Sequence, residues 1–121
     1  MDKLLSGRRV LVVEDEILVL MMIEDMLSDL GCESVTSAAT IAQAIALIEA
    51  QIFDAAMLDM NLDGDDSNTV ADALAERGVP FIYSTGNSDR DMHEGFSNRA
   101  VLRKPFSFDE LTAKFERLLS G

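Results

Sequence analysis

Five short apolar runs in this chain alternate with segments whose apolar residues recur every three or four positions, and few folds admit that alternation. The runs are Val10-Leu11-Val12-Val13, a weaker one from Glu33 to Ser37 around Val35, Ala55-Ala56-Met57-Leu58, Phe81-Ile82-Tyr83 after Pro80, and Ala100-Val101-Leu102. The uninterrupted runs describe strands covered on both faces rather than strands half open to water. Between them, Leu20, Ile23, Leu27 and Leu30 are spaced along one helical face, and Gly31 follows where a left-handed cap belongs. Thr40-Ile41-Ala42-Gln43 fits a capping box that opens a helix with Ile41, Ala44, Ile45 and Ile48 inward. Asn68 to Arg77 reads as a shorter helix with Val70, Ala71 and Leu74, stopped by Gly78, and Arg90 to Phe96 as one or two helical turns. Ser107-Phe108-Asp109-Glu110 is another capping box, before a last helix striped by Phe108, Leu111, Phe115 and Leu118. The pattern predicts an α/β fold, a doubly wound five-stranded parallel sheet with helices on both faces. With 121 residues and no repeat or linker, a single domain over 1–121 with its core in 9–119 is expected.

The ends of these runs carry the chemistry. The first stops on Glu14-Asp15-Glu16, the third on Asp59, the fourth runs into Thr85, and the fifth into Arg103-Lys104-Pro105. In an open parallel sheet, ligands bind in the crevice beyond the carboxyl ends of the strands, so Glu14, Asp15, Asp59, Thr85 and Lys104 are expected at one edge. Glu14, Asp15 and Asp59 together carry three negative charges against one positive charge on Lys104. A hard divalent cation such as Mg²⁺ (or Mn²⁺) brings that set to neutrality. A carboxylate nucleophile such as Asp59 attacks phosphorus without a general base. The cation and Lys104 would hold the phosphoryl oxygens, with the Thr85 hydroxyl donating to one of them. Replacing a carboxylate by its phosphate adds about one negative charge, which a switch can use.

These residues, in this order, resemble the receiver domain of two-component response regulators, over nearly the whole chain from Arg9 to Leu119. The resemblance implies a flavodoxin-like sheet of order 2-1-3-4-5. It implies Asp59 as phosphoacceptor, with Glu14, Asp15, Asp59 and the Asn61 backbone carbonyl facing Mg²⁺, and Thr85 and Lys104 reading the phosphoryl group. It also implies a cis Lys104–Pro105 bond and, as donor partner, a histidine kinase or histidine phosphotransfer protein. That donor would dock on the first helix and the loop after Lys-Pro, here Leu18, Val19 and Met22 with Pro105 and Phe106. This gives a use to the helix's second apolar stripe, Val19, Met22 and Met26, although Met21 and Met26 fit a core role equally well. The sequence departs from the family pattern at Glu14, where Asp is commonest, at Asp63, where Pro is frequent, and at Val101, where an aromatic switch residue is usual. The segments on either side of Thr85 are several residues short. Tyr83-Ser84-Thr85-Gly86 resembles the Phe-Ala-Thr-Gly signature of an atypical receiver subgroup from alphaproteobacterial signalling.

Other chemistries fit less well. Asp59-Met60-Asn61-Leu62-Asp63-Gly64 matches half of an EF-hand calcium loop, but its twelfth position is Val70 where a bidentate Glu is needed. A haloacid-dehalogenase-type phosphatase needs a second acid where Asn61 stands. A flavodoxin-like binder of phosphorylated ligands would carry a glycine loop after the first strand, the opposite of Glu14-Asp15-Glu16. A pseudo-receiver, a binding module that is never phosphorylated, would be free to lose Asp59, Thr85 or Lys104. Lone His93 reads as a surface residue, and the single Cys32 excludes an internal disulfide. A formal charge of −12 argues against nucleic acid or an anionic membrane as partner. Met1–Arg9 lacks the apolar core of a signal peptide and no run approaches a membrane span, so a cytoplasmic, stand-alone receiver is expected.

Overall fold

The computed structural model describes residues 4–62, 65–85, 100–104 and 106–119, with the side chains of Asn61, Leu62, Asp65, Asp66 and Ala100 outside that description. The strands are β1 (Arg9–Val13), β2 (Ser34–Ala38), β3 (Ala55–Asp59), the two-residue β4 (Asn61–Leu62) and β5 (Asp65–Asp66), β6 (Phe81–Thr85) and β7 (Ala100–Arg103). The described helices are α1 (Ile17–Asp29), α2 (Ile41–Ala50), α3 (Asn68–Glu76) and α4 (Phe108–Leu119). Five strands form one sheet in the order β2-β1-β3-β6-β7, every neighbouring pair parallel. Counted without the short ribbon β4-β5, this is the 2-1-3-4-5 order expected of a flavodoxin-like sheet.

Strand alternation sorts the core into two halves. Leu11, Val13, Ala56, Leu58, Phe81 and Tyr83 face the α2 and α3 residues Ala44, Ile48, Val70 and Leu74. Val10, Val12, Ala55, Met57, Ile82 and Leu102 face Ile23 and Leu27 of α1 and Leu111 and Phe115 of α4. Every residue of β3 and β6 is buried, as their unbroken apolar runs require. Fully burying one Leu, Ile or Phe contributes roughly 1.5–3 kcal/mol, so these two layers fix which strand ends meet.

Local signals set the helix ends. Gly31 and Gly78 both take positive φ, 87° and 70°, directly after the caps of α1 and α3. Behind each, two backbone bonds close the last turn: Gly31 and Cys32 N–H donate to Ser28 and Leu27, and Gly78 and Val79 N–H donate to Ala75 and Leu74. Ser107 and Glu110 form a complete reciprocal capping box, at 2.9 and 3.1 Å. The Thr40 box is half of one: Thr40 Oγ1 accepts from Gln43 N–H, but Gln43 Oε1 accepts from Ala39 rather than Thr40.

Three expectations are corrected. Phe108, expected in the stripe of α4, is 38% exposed. It is the first residue of its helix, and helical side chains lean toward the N-terminus, here beyond the core. Met21 is exposed rather than core, because it stands two positions from buried Ile23, about 200° around the helix, on the opposite face; Met26 does pack on the core, partly buried. The chain also packs before Arg9: Leu5 is fully buried, its N–H donates to Leu30, and Ser6 bridges Cys32. The helical turns expected from Arg90 to Phe96 lie outside the described residues. No helix among the described residues is long and apolar enough to cross a membrane.

Candidate functional site

Register brings the polar strand ends together. Val13 pairs with Leu58, so Glu14 and Asp59, each one residue further, stand level at the carboxyl edge. Glu14 N–H donates to Ala38 at 2.9 Å and ties its backbone to the edge strand. Asp59 pairs with Ser84, which sets Thr85 one step beyond it on the next strand. Lys104 N–H donates to Thr85 O at 2.8 Å, extending the β6–β7 ladder and turning the lysine back over the edge. Glu14, Asp59 and Thr85 are all buried, an unusual place for two carboxylates.

The Lys104 ammonium ties the cluster together. It lies 2.7 Å from Glu14 Oε1 and 3.5 Å from Glu16 Oε1, and it donates to Asp59 Oδ2 at 3.3 Å. Glu14 Oε2 accepts from Glu16 N–H at 3.1 Å. Glu14 Oε1 is buried with no hydrogen bond of acceptable geometry; it meets Lys104 only as an ion pair. Burial pushes the Glu14 carboxyl up to about 7, Asp59 adds to that rise, and Lys104 and Glu16 N–H oppose it. Burial draws Lys104 downward, but Glu14 and Asp59 outweigh it and leave the ammonium raised.

One ammonium thus faces more negative charge than it can balance. Ligand oxygens of Glu14, Asp15, Glu16 and Asp59 lie within 4.8 Å of one another. A buried Glu14 oxygen held only by an ion pair, a carboxyl held off its charged form by burial and an all-oxygen donor set suit a hard divalent ion.

Residues 10–116 match the family model of the response regulator receiver domain. The chain belongs to that family. By structure it is similar to SdrG from Sphingomonas melonis Fr1, at 43% identity and a TM-score of 0.85, covering 96% of this chain and 98% of that one. It is also similar to the receiver domain of sensor histidine kinase PA1611 from Pseudomonas aeruginosa PAO1, whose structure has a magnesium ion coordinated in the active site cleft. That match has 31% identity and a TM-score of 0.82, and covers 96% of this chain and all of that one (100%). Among curated proteins it is 32% identical to the transcriptional regulatory protein PdtaR of Mycobacterium tuberculosis, over 93% of this chain and 57% of that protein. The receiver therefore spans little more than half the length of this curated relative.

Within the receiver, the site gathers Glu14, Asp15 and Asp59 at one edge, sets the Lys104 ammonium against Glu14 and Asp59, and leaves Thr85 buried at the end of β6. Asn61 opens the ribbon beyond Asp59, paired with Asp66. Ser67 Oγ, at the cap of α3, donates to Met60 O at 3.0 Å and braces that ribbon's start. The EF-hand alternative fails here, since Asp59 ends a central parallel strand and Val70 is fully buried in the core. Pro105 and the Lys104–Pro105 bond lie outside the described residues.

The proposed docking face needs one correction. Phe106 is 4% exposed and sits in the core cluster of Leu111 and Phe115. It occupies the position before the Ser107 cap, and Leu111 the fourth helical position, which is the spacing of a hydrophobic staple. Phe106 closes the core and offers no docking surface. Leu18 is 78% exposed, while Val19 and Met22 are partly buried against the core. Periodicity gave no role to Glu16 or Ile17, and offered Met21 a core one. Only the register that carries α1 past the sheet edge brings Glu16 to Lys104 and leaves Ile17 and Met21 in solvent.

Proposed function

We propose that this receiver takes a phosphoryl group onto Asp59 from a phosphohistidine, on a histidine kinase or a histidine phosphotransfer protein, and that phospho-Asp59 switches binding to a partner protein. The observation that carries this reading is the partly buried Lys104 ammonium shared between Asp59 and Glu14. An Asp59 oxygen attacks phosphorus, the P–N bond breaks, and its electron pair returns to the imidazole, which takes a proton from water. Lys104 moves from the carboxylates onto a phosphoryl oxygen, and the Thr85 hydroxyl donates to another. Glu14, Asp15, Asp59 and the Asn61 carbonyl would hold Mg²⁺ or Mn²⁺, which would supply positive charge beside the transferring group. The donor would dock on Leu18, Val19 and Met22, and on Pro105, which lies outside the described residues. Water later hydrolyses the acyl phosphate and restores Asp59.

Intact mass after incubation with acetyl phosphate and Mg²⁺ tests this. Wild type should gain one phosphoryl group, and the gain should vanish with a chelator and in Asp59→Asn. A chain modified neither by acetyl phosphate nor by phosphohistidine proteins, and without divalent-metal binding, would be a binding module with a receiver fold instead.

A further inference from the structure

Glu16 is the one carboxylate of the cluster that the reaction above does not use. Its backbone caps α1 in an extended conformation, and its side chain makes no capping hydrogen bond. It is 65% exposed, yet Oε1 reaches within 3.5 Å of the Lys104 ammonium. The next residues, Ile17 and Leu18, are 70% and 78% exposed. Glu16 therefore stands at the mouth, with the phosphoacceptor pocket on one side and a bare apolar patch on the other.

Charge decides what such a residue does. With a divalent ion in place, Glu14, Asp15 and Asp59 are balanced by that ion and Lys104, and Glu16 leaves the mouth one charge negative. A free phosphodonor arrives as an anion and is repelled; it must also displace Glu16 from the ammonium that would receive it. A protein donor that covers Ile17 and Leu18 gains apolar contact that offsets the same repulsion. Resting on the phosphoacceptor reading, we infer that Glu16 sets donor selectivity: it disfavours small anionic phosphodonors relative to a phosphohistidine carried by a docked protein. Although its carboxylate lies within 4.8 Å of the other three, Glu16 acts in this reading on the incoming donor and is a specificity residue.

The test compares phosphorylation rates of wild type, Glu16→Gln and Glu16→Asp at saturating Mg²⁺, with acetyl phosphate and with the less negative phosphoramidate, at low and high salt. Glu16→Gln should react with acetyl phosphate about three- to tenfold faster than wild type at low salt, with the gain shrinking as salt screens the mouth. Phosphoramidate should show a smaller gain. Glu16→Asp keeps the charge and should stay close to wild type, which separates charge from any packing effect of the substitution. Equal gains for both donors, or a gain that ignores salt, would overturn the inference. A Glu16→Gln chain that is slower than wild type and has lost Mg²⁺ affinity would make Glu16 a metal ligand, and would overturn it too. Failure of wild type with every donor would overturn the phosphoacceptor reading itself, an outcome distinct from all of these.

Discussion

Both ends of the sheet carry a cluster of charged and polar side chains, and the two are built on opposite terms. At the amino end, Arg9 N–H donates to Asp54 Oδ2 at 2.8 Å, Asp54 N–H returns a bond to Arg9 O at 2.8 Å, and Arg9 Nη2 reaches Gln51 at 2.9 Å. That cluster is reciprocal, and its two charges are opposite. At the carboxyl end, two buried carboxylates share one ammonium, and one of their oxygens, Glu14 Oε1, is held only by that ion pair. A polar cluster that serves only to hold strands together satisfies its own groups. One that leaves a charge surplus in a buried crevice keeps a place for something else, at a cost in stability.

The largest effect should come from Lys104→Ala, which removes the cation that contacts both Glu14 and Asp59. Deleting one partner of a buried ion pair typically costs about 3–5 kcal/mol. Lys104 keeps some exposure and Glu14 can take up a proton, so about 2–4 kcal/mol is expected here at pH 8. Urea unfolding in a chelating buffer measures this, and added Mg²⁺ should return part of it. A loss below 0.5 kcal/mol, by the same rule of thumb of roughly 0–1 for exposed pairs, would mean that the carboxyl end is as self-sufficient as the amino end.

Glu14→Gln should move stability the other way. The folded carboxyl titrates at about 7 against an ordinary 4.5, so between those values the folded state holds more protons than the unfolded chain. The Glu14 contribution is therefore present in full below pH 4.5 and is lost as pH rises through about 7. Glu14→Gln removes that loss. In chelator at pH 8 the variant should be about 1–3 kcal/mol more stable than wild type, and the difference should fade toward pH 5. Mg²⁺ should narrow it as well, by stabilising wild type more than the variant. Thermal melts at the two pH values, with and without metal, would check both trends. A variant less stable than wild type at pH 8 would place the strain elsewhere.

That difference between the two ends also marks how far the sequence could be read. The strand runs, the glycine caps after α1 and α3, and the acids and lysine at the strand ends are local signals, and each appears in the fold as its residues suggest. The sheet order followed from family resemblance, since periodicity alone does not rank strands. What escaped depends on distance across the fold. Phe106 looks like a loop aromatic free for docking until Leu111 is seen to pack in the same cluster, although the cap-relative spacing could have revealed it. Glu16 is one more acid in a run until Lys104, 88 positions later in the chain, comes within 3.5 Å of it. Exposure of Ile17 and Met21 against the burial of Ile23 depends on where α1 lies over the sheet, which spacing alone leaves open.

The amino end supplies the smallest effect and the sharpest contrast. Asp54→Ala removes the acceptor of Arg9 N–H, a single part-buried hydrogen bond to a charged group. The expected cost is about 1–2 kcal/mol, toward the lower end for a bond to a charged group, because the bond is only part-buried. No metal site lies near it among the described residues, and the oxygens that gather around Lys104 are a full strand length away. Asp54→Ala should therefore lose the same amount with and without Mg²⁺, and should leave phosphorylation of Asp59 unchanged. Paired melts in chelator and in Mg²⁺ decide it: a cost that changes with metal would mean that the two ends are coupled through β1 and β3. A constant cost would assign the amino end to the stability of the sheet and leave the charge surplus at the carboxyl end to the switch.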